Sequence, residues 1–198
     1  VQGQRYREPM LLEERRRILT FLQNEGYAAV SRDSVRAVVY RATPDSFDVT
    51  LRVQTGPRYR FGDVRFEATG PEDAPPRSDT VDVAVDTTGG GRPQVTARFV
   101  DERRLDPAIV RRSLRFTPGA YYDQSAVQAT KRRLDGTGVF AFTNLSPQYE
   151  DAVRRDTTGA PYLPLQINAQ TRQRHRLQAE TFALQRESVG AREAGVRL

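Results

Sequence analysis

Apolar positions recur at helical spacing over residues 11–23. Leu11, Leu12, Arg15, Ile18, Leu19 and Leu22 make a stripe and its flank, while Glu13, Glu14, Arg16 and Arg17 fall on the other side. Pro9 suits the first turn of such a helix, Glu13 and Arg17 form an i, i+4 pair in the favourable order, and Asn24-Glu25-Gly26 ends it. The period then drops to two. Val35, Ala37 and Val39 predict one face of a strand over 35–40, and Thr43-Pro44-Asp45-Ser46 reads as a turn. Phe47, Val49, Leu51 and Val53 predict a second strand over 47–54. Together these elements predict a hairpin packed on a helix.

After Thr55-Gly56-Pro57 the alternation resumes over 58–68. Tyr59 and Phe61 share one phase, Val64 and Phe66 the other, so Gly62 marks a β-bulge. An insert at about 69–103 follows, rich in Pro, Gly, Asp and Thr in its first part, with strand patterns at 80–85 and 94–100 around Gly89-Gly90-Gly91. Asp106 is an N-cap candidate for a short helix reaching Leu114. Pro118-Gly119 turns into a second helix, with Val127, Thr130 and Leu134 on one face and Lys131, Arg132 and Arg133 mostly off it. Gly136 and Gly138 offer the positive φ that stops a helix. In the next strand Val139, Ala141 and Thr143 alternate with Phe140, Phe142 and Asn144, which puts Phe140 and Phe142 on one face. A polar loop over 150–159 leads to a last strand at 161–172.

The second half therefore reads strand, insert, helix, helix, strand, strand. The part before Arg58 reads helix, strand, strand. Leu22 precedes Gly26-Tyr27 by four residues, as Leu134 precedes Gly138-Val139-Phe140. This is one module repeated, the first copy without its front end. Starting at Val1, with no initiating Met and no signal sequence, the chain reads as an excised fragment or a processed chain. At 198 residues and 37% hydrophobic content, two small domains fit better than one large core. No apolar run approaches the ~20 residues of a membrane helix.

Chemistry is sparse. There are no cysteines, so neither a disulfide nor a thiolate metal site can form. His175 is the only histidine and lacks partners at ligand spacing. Asp33 and Asp101-Glu102 are isolated carboxylates, and Ser31, Ser34 and Ser113 lack a nucleophile-elbow context. Gly89-Gly90-Gly91 is followed by Arg92-Pro93 where a phosphate loop needs Lys-Ser/Thr and a helix. No cofactor, metal or catalytic residue is assigned, and an enzyme is not expected. The formal charge is +6, and Lys131 is the only lysine among 31 basic residues. The arginine pairs are dispersed among acids, as on solvated faces, so no nucleic acid is expected. The alternative function class is an RNA-binding ferredoxin-like module, with Phe61 and Phe66 of Arg60-Phe61-Gly62-Asp63-Val64-Arg65-Phe66 as stacking aromatics. Asp63 and the opposed phases of the two rings weaken it.

The ordered set of motifs resembles a known family. Pro118-Gly119-Ala120-Tyr121-Tyr122 stands before the second helix, Leu134, Gly138 and Phe140 after it, and Gly56-Pro57-Arg58-Tyr59-Arg60-Phe61-Gly62-Asp63-Val64 opens a module. In the first module Leu22, Gly26 and Tyr27 take the corresponding places. This resembles POTRA (polypeptide-transport-associated) domains of outer-membrane assembly and translocation proteins of the BamA and TamA type, over about residues 10–172. The resemblance implies an α+β fold of tandem β-α-α-β-β modules, each a three-stranded sheet with two helices on one face. Residues 1–56 would be the C-terminal part of one module, 57–172 a complete module, and 173–198 a tail similar to the start of an outer-membrane β-barrel. The 69–103 insert is long for the family.

The resemblance further implies a periplasmic region of a Gram-negative outer-membrane protein, embedded through a C-terminal barrel. Its partners would be unfolded outer-membrane polypeptides or accessory assembly subunits. The strand after the helices, Val139, Phe140, Ala141, Phe142, Thr143, Asn144 and Leu145, would be a free edge on which a client strand adds. Gly56, Pro57, Tyr59 and Arg60 would form a joint with little hinge freedom, since Pro57 fixes φ. The tail strand, parted from barrel neighbours, would have its backbone satisfied by water or by another copy.

Overall fold

The computed structural model describes residues 7–44, 46–71, 80–86, 93–100, 105–172, 180–185 and 192–197. The first helix, α1 (Glu8–Asn24), carries Pro9 in its first turn. Arg17 pairs with Glu14 at 2.6 Å, one position closer than the Glu13 pairing the spacing suggests. The helix gives way to Gly26 at φ +101°, where a Cβ would lie 2.8 Å from Arg58 Cγ. A 3-10 turn (Arg32–Ser34) leads into β1 (Val35–Thr43), which pairs antiparallel with β2 (Ser46–Val53).

The expected packing of this hairpin on the helix is thin. No α1 residue is buried, and Val39, Phe47, Val49 and Val53 stay exposed on the strands. One helix and two strands enclose too little volume to hide both apolar faces.

The second unit closes properly. Its strands are β3 (Arg60–Thr69), β4 (Thr80–Asp86), β5 (Val95–Val100), β6 (Phe140–Pro147) and β7 (Tyr162–Thr171), in the order β4-β5-β3-β7-β6. β3 runs parallel to both neighbours, and the two outer pairs are antiparallel. The helices α2 (Ala108–Ser113) and α3 (Gln124–Asp135) cover one face. The expected three strands are the β3-β7-β6 part of this sheet. The insert enlarges it to five, because β5 adds to the outer side of β3 and β4 closes a hairpin on β5. β5 is part of the core: Val95, Ala97 and Phe99 are buried, and the Phe99 ring lies 6.2 Å from that of Phe66.

Two irregularities set which residues face inward. The β3–β7 register slips between Phe61 and Val64, so Phe61 and Phe66 both reach the core despite their opposed phases, each only 1% exposed. At the slip Gly62 touches β7, and a Cβ there would meet Leu163 C and Pro164 N at 2.8 Å. The β6–β7 register slips between Phe140 and Phe142. This overturns the shared face expected for that pair: Phe140 is 2% exposed and Phe142 is 59% exposed.

Of Gly136 and Gly138, only Gly138 adopts positive φ, at +70°; Gly136 remains right-handed at φ −70°. The last strands, β8 (Glu180–Gln185) and β9 (Arg192–Arg197), pair antiparallel with each other. The tail thus pairs with itself along one side of each strand, where water or another copy was expected to satisfy its backbone groups. Gly89-Gly90-Gly91, Asp101-Glu102, Arg92 and His175 lie outside the described residues.

Candidate functional site: the open sheet edge and the joint

β6 forms one edge of the sheet. In an antiparallel ladder, successive residues point their N–H and C=O alternately toward and away from the partner strand. Gln148 N donates to Pro164 O at 2.9 Å, which sets the phase: Ser146, Asn144 and Phe142 face β7. Thr143 and Leu145 therefore turn their backbone groups to the free side. Pro147 shares their phase and has no N–H, so it closes the donor row. The usable stretch lies between the bulge at Ala141 and Pro147. Val139 is outside it, its carbonyl taken by Arg172 N at 2.8 Å.

The side chains of this edge have separate tasks. Phe140 and Thr143 are buried, Leu145 is half-buried, and Ala141, Phe142 and Asn144 are exposed. Thr143 Oγ1 donates to Asp135 at the end of α3, and Lys131 Nζ bridges to the same carboxylate at 2.7 Å. The Lys131 ammonium first, and the Thr143 hydroxyl second, hold the Asp135 carboxyl below the usual carboxylate range. The edge strand is thereby pinned to the helix beneath it. A strand so held presents its outer backbone groups at fixed spacing.

The joint is built around one tyrosine. Arg58 and Arg60 point the same way from an extended segment, and their guanidinium carbons lie 3.9 and 4.1 Å from the Tyr121 ring centroid. Both guanidiniums thus share the Tyr121 ring as a cation–π partner. Arg58 Nε donates to Glu25 O at 2.7 Å, reaching the end of α1. Arg60 reaches the other way, to Asp156 and to Gly119 O at 2.9 Å. Tyr59 N donates to Gly26 O at 2.8 Å, and its ring meets Tyr149 edge-on at 6.0 Å. Tyr149 Oη donates to Ala28 O at 2.9 Å, and Ser125 N donates to Asn24 Oδ1 at 3.1 Å. Gly56 turns at φ +66° with free space around it and Pro57 is exposed, so the contacts across the joint are made by Tyr59 and its arginine neighbours.

Asp156 anchors this network from the β6–β7 loop. Its Oδ1 accepts from Thr158 Oγ1 at 2.7 Å and from the amides of Thr158 and Ala160 at 2.8 Å. The Thr158 hydroxyl, then these amides, then Arg60 draw its pKa down to about 2. Sequence reading passed over this residue, although Asp156-Thr157-Thr158-Gly159 is an Asx-turn pattern. Its link to Arg60, 96 positions away, had no local signal. Burial of Phe61 and Phe66 removes the stacking surface that base recognition would need. Among the described residues no group of three or more His, Cys, Asp or Glu side chains is placed to hold a metal.

No family profile and no curated protein matches the chain. Solved structures do. The BamA structure from Haemophilus ducreyi lacking POTRA domains 1-3 superposes on 87% of this chain with a TM-score of 0.52 and 18% identity. The chain has the POTRA fold. It spans 25% of that BamA chain. The N-terminal domain of Omp85 from Thermosynechococcus elongatus also aligns, at 20% identity over 86% of this chain and 56% of its own, with a TM-score of 0.36. POTRA3-5 of Haemophilus influenzae BamA aligns at 14% identity over 85% and 84% of the two chains, with a TM-score of 0.28. The β-α-α-β-β order of the module is β3, α2, α3, β6 and β7, and the β4–β5 hairpin is an addition to it.

Proposed function

We propose that this chain is a periplasmic POTRA region of a BamA-type outer-membrane assembly factor, a non-enzymatic receiver of unfolded outer-membrane polypeptides or docking point for accessory subunits. In this reading residues 1–56 are the end of one module, 57–172 a complete module with its insert, and the β8–β9 hairpin the first strands of a barrel. A client segment adds to β6 as a further strand. The observation that carries this is the outward phase of Thr143 and Leu145 on a sheet edge held rigid by Asp135 and Lys131. Main-chain pairing tolerates many side chains, which suits a receiver of varied clients. Exposed Phe142 beside that edge adds an apolar contact without selecting a sequence.

Hydrogen exchange tests the reading with an extended peptide taken from an outer-membrane barrel strand. Protection of the Thr143 and Leu145 amides should rise on peptide addition, and that of Asn144, already bonded to β7, should not change. Leu145→Pro removes one outward donor and should weaken peptide binding at least about fivefold, one net hydrogen bond's worth. Unchanged exchange at Thr143 and Leu145 under saturating peptide would rule out addition at this edge, whatever the proline variant does to folding.

A further inference from the structure

Most described arginines of the second unit divide by position; Arg155 and Arg172 bond to the carbonyls of Gly159 and Phe140. Those on the open sheet face and at the joint are neutralised: Arg58 by Glu25, Arg60 by Asp156, Arg65 by Asp151, Arg98 by Asp82 and Arg154 by Asp63. Those on the helical layer are not. Arg111 and Arg112 on α2, Arg115 just after it, and Arg132 and Arg133 on α3 are exposed, and none has an acidic partner among the described residues. The described acids of that layer are committed elsewhere. Asp106 accepts from Ala108 N at 2.8 Å, Asp123 caps α3 through the amides of Ser125 and Ala126, and Asp135 is held by Lys131 and Thr143.

The geometry gathers these charges although the sequence scatters them. Val127, Thr130 and Leu134 turn α3 toward the sheet, and Val110 and Ser113 do the same for α2. At 100° per residue, Arg132 then projects from the solvent side of α3 and Arg133 from its flank, while Arg111 and Arg112 project from the solvent side of α2. Arg115 N donates to Thr130 Oγ1 at 2.9 Å, which ties the end of α2 against α3. The two helices form one layer over one sheet face, so their solvent sides look the same way. Among the described residues from α2 to α3, Tyr121 is the only exposed large apolar side chain, and the joint already holds it.

We propose that the outer surface of α2 and α3 is an electrostatic docking face for an anionic phospholipid membrane surface. Guanidinium forks match phosphate oxygens two at a time. A protein partner of good affinity would need an apolar or aromatic anchor seated in a pocket. Clefts open on the opposite face, around Arg65 and Gln166. Basic side chains without an anchor suit a fluid array of phosphates, where each contributes by proximity and salt screens all of them. This face is separate from the β6 edge, and its test does not depend on the client reading.

Sedimentation of the full chain with vesicles tests it. The chain should bind phosphatidylcholine vesicles containing phosphatidylglycerol, ignore pure phosphatidylcholine, and release as salt is raised. Joint replacement of Arg112→Glu, Arg115→Glu and Arg133→Glu should lower binding at least about tenfold, and Arg65→Gln on the opposite face should change it less than about twofold. The same three positions as Arg→Gln, which add no opposing charge, carry the test if the glutamate variant unfolds. Equal binding to both vesicle types, wild-type binding by the triple variants, or capture of only poly-glutamate or duplex RNA without vesicle binding would each overturn the proposal.

Discussion

Phe140 and Phe142 stand two positions apart in one strand and have opposite fates. Alternation places them on the same face; the register slip at Ala141 rotates the chain so that one enters the core and the other meets solvent. Phe140→Ala should therefore cost about 3–5 kcal/mol in denaturant unfolding, while Phe142→Ala stays within about 0.5 kcal/mol. Equal effects would mean that the slip is absent in solution. At Gly62 the same kind of slip was legible, because Tyr59-Phe61 and Val64-Phe66 change phase across a glycine. No such marker stands at Ala141, whose slip shows only in its pairing with β7. Gly62→Ala should destabilise by about 1–3 kcal/mol, since its Cβ would press on β7 backbone that cannot move aside. Asp156 makes the third case. Its folded pKa of about 2 lies below the ordinary carboxylate value near 4, so its bonds stabilise the loop above pH ~4 and are lost as pH falls through about 2. NMR of the Thr158 and Ala160 amides should show release across that window in the wild type. Asp156→Asn should abolish the transition, and a transition that persists in the variant would assign it to another group.

Elements meet at the joint in a way that local pattern foreshadowed only in part. Short spacing between Val53 and Tyr59 implied little hinge freedom, and Tyr59 and Arg60 stood out from the motif. Side chains far apart in sequence add contacts there: Tyr121 with Arg58 and Arg60, Tyr149 on Ala28, and Asp156 with Arg60. Nothing in residues 58–60 alone could name those partners. With several bonds crossing to the end of α1, one inter-module angle should dominate in solution. Spin labels on an exposed α1 position and on β7 should give a single narrow distance distribution. Tyr121→Ala removes the ring shared by both guanidiniums, a loss of roughly 0.5–1 kcal/mol per contact at an exposed site, and should broaden that distribution without shifting the midpoint of second-unit unfolding by more than a few degrees. A wild-type distribution already as broad as the variant's would show that these contacts do not hold the angle.

At the scale of the whole molecule, what could be read from sequence was what is local. Period changes marked each helix and strand of the second unit, including both strands of the insert, and the order of elements pointed to the POTRA fold that the structural comparison shows. Strand order was out of reach, because nothing in 80–100 says that β5 would run parallel beside β3. The gathering of arginines onto one helical face was hidden for the same reason. The tail illustrates the limit from the other side. Its alternation was visible, yet its pairing was not: β8 and β9 bond to each other, and their principal contacts are mutual. A hairpin that leans chiefly on itself adds little to a neighbouring core, since an isolated two-stranded hairpin is marginally stable in water. Ending the chain after Arg172 should therefore leave second-unit stability unchanged within about 0.5 kcal/mol, the scatter of changes made away from structural features. Denaturant unfolding of the shortened and full chains, compared at equal concentration, decides it. A loss of several kcal/mol would mean that the hairpin is bound into the folded unit, and the reading of it as barrel strands awaiting their neighbours would fall.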